Sequence, residues 1–253
     1  MALLFRLLPL IIGMISAGCF AMQAQYANWY PWILVPAFIV FIGGIATMFR
    51  QRHWGWEDVR LAVPALMAFA AAGFGMLLVE GWLRYWGIPL FVGLVSYLLV
   101  ELLFLSTFYA SKYPVNGMTH MNLALVPVIF WLLAYTSSGL LVFMNTQRFS
   151  PMILFAVVGG VLWYVTAHPE ATPESRLRWT LIGAWISTQI GMIIAIVPLR
   201  MEVHAMIASI CGAAALRVRR YGIAPPIPRN MILLEVIGMI LFLAAVAFTA
   251  AWR

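Results

Sequence analysis

Residues 89–110 read PLFVGLVSYLLVELLFLSTFYA, a nearly unbroken apolar run with one carboxylate, Glu101, inside it. A helix rising about 1.5 Å per residue makes this stretch roughly 33 Å long, enough to cross the ~30 Å hydrocarbon core of a bilayer. Glu101 then falls near mid-membrane. An acid at that depth costs about 3 kcal/mol on insertion scales, so the sequence predicts that it faces the interior of a helix bundle and holds its proton.

The rest of the chain supplies the bundle. Its 253 residues are 64% hydrophobic and only 9% charged, with a mean hydropathy of +0.98. A soluble chain of that composition could not cover its surface with polar groups, since soluble domains run at about 25% charged. In lipid each backbone polar group must be satisfied within its own segment or in a closed barrel. The apolar runs are long and lack the alternation of barrel strands, so the expected class is an all-α, polytopic transmembrane helix bundle.

Eight further segments flank residues 89–110. Segment 1 covers about 3–22, with Arg6 near its start, and is expected to stay attached as a first helix. Segments 2 and 3 cover 31–49 and 59–79, and the opening stretch is segment 4. Segments 5, 6 and 7 cover about 120–144, 151–167 and 177–199. Segment 8, about 203–216, is short and the weakest span, and segment 9 covers 231–251. Trp29, Trp32, Trp82 and Trp86 stand at segment ends, where aromatic rings suit the membrane–water interface. In segment 7, Gly183, Ser187 and Gly191 repeat at spacing four and make a face on which a second helix can approach closely. No loop is long enough for a soluble domain, so residues 1–253 read as one integral membrane domain.

The net charge of +7 distributes by side. With the N-terminus in the cytoplasm, nine crossings put Arg6, Arg50, Arg52, Arg60, Lys112, Arg176, Arg178, Arg217, Arg219, Arg220 and Arg229 inside. Arg84, Arg148, Arg200 and Arg253 fall outside. Eleven against four is the bias expected of cytoplasmic loops, and it leaves the C-terminus outside a bacterial-type plasma membrane. No basic run is long enough to track a phosphate backbone, so nucleic acid is not an expected partner. The expected surroundings are the lipid bilayer and a membrane-protein partner or a second copy.

Few residues carry chemistry. Tyr97 lies one turn before Glu101, on the same helix face, with Gly93 a turn earlier; its phenol is placed to bond the carboxyl group. Ser187, Thr188 and Gln189 sit at mid-depth of segment 7. With Glu101 and Tyr97 they form the candidate intramembrane polar site. Thr136, Ser137 and Ser138 make a second polar patch, whose hydroxyls can bond back to their own helix. His53, Asp58, His120, His168 and Glu170 fall on the cytoplasmic side without metal-ligand spacing, and His204 reads as interfacial. Cys19 and Cys211 read as small apolar core residues. Glu80 and Arg84 are spaced as an exposed helical ion pair. No catalytic, cofactor or metal motif stands out. The expected function is transport or permeation of a small solute or protons. The alternatives are a non-catalytic membrane-embedded assembly subunit and an intramembrane lipid-acting enzyme.

Overall fold

The computed structural model describes residues 2–52, 55, 59–114, 117–167, 172–221 and 229–249. Among these, every regular element is helical. Nine helices of 13 residues or more lie among the described residues: α1 (Ala2–Gln25), α2 (Leu34–Arg52), α3 (Val63–Gly75), α4 (Ile88–Phe108), α5 (Gly117–Phe143), α6 (Ser150–Val165), α7 (Pro173–Ile196), α8 (Met201–Tyr221) and α9 (Arg229–Thr249). Five of them are long and apolar enough to cross a membrane: α1, α2, α4 with its preceding turn, α5 and α7. Helices α3 and α6 are apolar but shorter. The chain forms two compact units, residues 1–125 and 126–253.

Several boundaries differ from the sequence reading, α3 being four residues shorter at each end, and three of them move charged or polar residues. A wide helical turn, Leu83–Gly87, leads straight into α4, so one helical stretch spans Leu83–Phe108. Its midpoint moves to Ser96, and Glu101 lies about 8 Å from it along the axis. Helix α7 starts at Pro173, inside the expected loop. Thr172 caps it by accepting a hydrogen bond from the Ser175 amide at 3.3 Å, and proline fits the first turn because no amide is needed there. Helix α8 runs on to Tyr221, which brings Arg217 and Arg219 into the helix instead of a basic loop.

In the first unit, α1 and α4 pack antiparallel through small residues. A Cβ added to Gly93 would lie 2.7 Å from the Ala17 methyl, and one added to Gly13 would lie 2.9 Å from the Tyr97 Cβ. Backbones this close gain dispersion contact that larger side chains would forbid. Phe69 of α3 is the aromatic hub. It stacks on Phe41 of α2 at 4.9 Å and meets Phe20 of α1 edge-on at 5.1 Å. The Asn122 amide, at the start of α5, donates to the Leu61 carbonyl at 2.8 Å.

In the second unit, α6 and α7 form the tightest pair, with Gly159 against Ser187, Gly183 against Trp163 and Gly191 against Pro151. The ridge expected at Gly183, Ser187 and Gly191 is this contact. Trp163 also stacks on Trp179 at 6.0 Å. Arg219 of α8 is buried. Its Nη1 donates to the Trp163 carbonyl at 2.7 Å and reaches Thr166 Oγ1 at 3.4 Å, while the guanidinium lies 5.7 Å from the Trp163 ring centre. It therefore satisfies a carbonyl in the last turn of α6 that the helix itself leaves open.

Outward, the helices are apolar. Val35, Ile39 and Ile42 of α2 and Leu181 and Trp185 of α7 are exposed, and only 28% of the most apolar window of each helix is buried.

Candidate functional site

Glu101 and Tyr97 belong to the first unit, and Ser187, Thr188 and Gln189 to the second. Tyr97 is half-buried, its Cβ against Gly13. Glu101 is half-buried too. It sits at the margin of the packed face, between the α1 seam and the outward ridge of Leu90, Leu94 and Leu98. The antiparallel register sets Gly13 against Tyr97 and Ala17 against Gly93, so one more turn brings Glu101 level with Pro9. Among the described residues no hydrogen bond joins Tyr97 to Glu101, although they are one turn apart.

The three residues of segment 7 serve packing first. Ser187 is buried against Gly159, and its hydroxyl has no hydrogen-bond partner among the described residues. The Thr188 hydroxyl donates to the Ala184 carbonyl of its own helix at 2.8 Å. Gln189 is half-buried.

The most developed polar arrangement lies elsewhere in the second unit. Thr136, Ser137 and Ser138 follow one another on α5 and all are buried. Ser138 Oγ is 2.9 Å from Nδ1 of His204, which is itself only 4% exposed. The other ring nitrogen, Nε2, is 3.0 Å from the Val197 carbonyl, in the turn between α7 and α8. A carbonyl can only accept, so Nε2 carries a hydrogen and donates it. In the neutral ring Nδ1 is then a bare lone pair, and the Ser138 hydroxyl donates to it. The hydroxyls of Thr136 and Ser137 have no hydrogen-bond partner among the described residues. An unmade hydrogen bond of this kind costs about 1–3 kcal/mol, so the run holds two buried, unpaired hydroxyls next in sequence to the one that bonds His204.

The sequence reads His204 as interfacial on the outer side and leaves the 136–138 hydroxyls open between a polar cavity and bonds to their own helix; it does not join His204 to Ser138. The two residues are separated by 66 positions, and no local spacing joins them. The available signal was a triple hydroxyl run inside an apolar helix.

Other candidates do not converge. His120 is exposed. His53, Asp58, His168 and Glu170 lie outside the described residues. Among the described residues no three His, Cys, Asp or Glu side chains gather as a metal would require. Cys19 and Cys211 are free thiols, each half-buried. Glu80 precedes the helix that holds Arg84, with Gly81 at φ +64° between them, so the helical pairing expected of the two does not form. Neither a protein-family model, nor a curated protein, nor a solved structure matches this chain.

Proposed function

We propose that the chain is a multi-pass integral membrane protein with about nine crossings that passes protons or a small polar solute across the bilayer. The outward apolar surface of α2 and α7 supports the membrane setting, because leucine, isoleucine and tryptophan side chains are stable there only against lipid or protein. The observation that carries transport is the buried Ser138–His204 pair, whose serine ends a run of three buried hydroxyl residues on α5. Ionisable groups inside membrane helices mark ion and substrate pathways, and an imidazole can take a proton at one nitrogen and give one up at the other. A proton arriving at Nδ1 turns that nitrogen from acceptor to donor. Ser138 then rotates its hydroxyl hydrogen toward its own helix, a bond that serine makes readily. Water reaching the Val197 side takes the Nε2 proton, which leaves the neutral Nδ1–H tautomer; a ring flip then restores the resting pairing. Glu101 is a second ionisable group for the same test.

The test is purified protein in proteoliposomes with an entrapped pH-sensitive dye. Proton uptake should fall roughly tenfold or more in His204→Phe, and clearly in Ser138→Ala, when each is assayed well below its own melting temperature. Equal flux in parent and variants sinks the proton reading. Covalent labelling of Ser138 by a fluorophosphonate would redirect it to a lipid-acting hydrolase, because a hydroxyl donating to an imidazole is also how a serine nucleophile meets its base.

A second reading, a non-catalytic assembly subunit, is favoured by the position of Glu101 at the outer margin of α4, where a neighbouring protein would shelter it.

A further inference from the structure

We infer that the outward ridge of α4, formed by Leu90, Leu94 and Leu98 and continued by Glu101 and Leu105, docks a transmembrane helix of a partner protein that carries a lysine or arginine at the depth of Glu101. The inference rests on the membrane-spanning reading and not on transport.

Leu90, Leu94 and Leu98 recur at spacing four and are 60%, 56% and 37% exposed. Side chains four apart build a ridge inclined to the helix axis, and such ridges seat in the grooves of a second helix. A leucine ridge alone would be equally content in lipid. Glu101 breaks that equivalence. It follows on the same side of α4 and is half-buried by the α1 seam. Among the described residues it has neither a hydrogen bond nor an ion pair. Its level on α1 is Pro9, which has no amide to offer. Arg6, about one turn further along α1, is exposed and makes no ion pair with it among the described residues.

Lipid tails offer a carboxyl group nothing, and headgroups are about two helical turns away, since Glu101 is seven residues from the end of α4 at Phe108. A cation on a neighbouring helix at that depth satisfies it directly, and the low dielectric strengthens the attraction. A second copy is the poorer occupant. A twofold axis through the ridge would set one Glu101 near the other, carboxylate against carboxylate.

The experiment uses the full chain in phosphatidylcholine vesicles, with energy transfer to transmembrane probe peptides. One peptide is polyleucine; the other is the same with one lysine set about 8 Å from its centre. Carbonate extraction first establishes that the chain is inserted; complete extraction would overturn both the membrane reading and this inference. With the chain inserted, the lysine peptide should associate at least tenfold more tightly than polyleucine. Glu101→Gln should abolish the preference, and Leu94→Gly should weaken association of both peptides without removing the preference. Equal association of the two peptides, or a lysine preference that survives Glu101→Gln, overturns the inference while leaving insertion intact. Glu101-dependent energy transfer between two copies of the chain overturns the basic partner in favour of self-association.

Discussion

At the scale of single residues, His204 illustrates how one contact fixes another. The Val197 carbonyl decides which nitrogen holds the hydrogen, and so decides that Ser138 donates. Nitrogen NMR on histidine-labelled protein should therefore find the His204 Nε2–H tautomer at neutral pH; an Nδ1–H signal would contradict the pairing. Ser138→Ala leaves a buried ring nitrogen without a donor and should cost about 1–3 kcal/mol in thermal or denaturant unfolding. No change in stability would mean that the hydroxyl is not bonded to the ring. The sequence made the hydroxyl run at 136–138 visible, yet not its partner, because a contact between residues 66 apart is set by how α5 and α8 pack. Glu101 was legible as the carboxylate in an apolar run. Its place along the helix was not, since the extra turn at Leu83–Gly87 comes from a stretch rich in tryptophan, tyrosine and arginine that reads as an interfacial loop.

At the scale of helices, the packing is set by where side chains are missing. Gly183 faces the Trp163 ring, and any Cβ there overlaps it. Gly183→Val should destabilise the α6–α7 pair by about 1–3 kcal/mol, the usual cost of overpacking a close contact. Gly43→Ala in α2 is the control. A Cβ at Gly43 meets nothing within 4 Å, so the better helix former should be neutral or stabilising by up to about 1 kcal/mol. If both variants melt alike, close approach is not what holds α6 to α7. The spacing of Gly183, Ser187 and Gly191 announced a close face, but the residues that fill it, Gly159, Trp163 and Pro151, carry no mark that names α7 as their neighbour. The start of α7 was more readable than the loop reading allowed. Thr172-Pro173-Glu174 presents a cap, a first-turn proline and an early acid in order.

At the scale of the whole chain, alternate crossing makes a demand that local contacts can meet or fail. With the N-terminus inside, odd helices run outward and even ones inward. The start of α3 and the start of α5 then share the inner side, and the Asn122–Leu61 hydrogen bond joins those two ends. The end of α5 and the start of α8 share the outer side, where Ser138 meets His204. The ends of α6 and α8 share the inner side, where Arg219 holds the Trp163 carbonyl. The antiparallel pairs α1 with α4 and α6 with α7 obey the same parity. If α3 or α7 turned back without crossing, later ends would change sides and a bond such as Asn122–Leu61 or Ser138–His204 would join ends on opposite surfaces. The charge division of eleven inside against four outside is what the sequence leads one to expect of the same orientation. After replacement of Cys19 and Cys211 by alanine, a single cysteine at the exposed Gln147, between α5 and α6, should react with an impermeant maleimide added from outside. One at Ser175, in the first turn of α7, should react only after the membrane is opened. The reverse pattern would invert the orientation. Labelling of both positions from outside would mean that one of α6 and its flanking turns fails to cross, and the nine-crossing arrangement would fall with it.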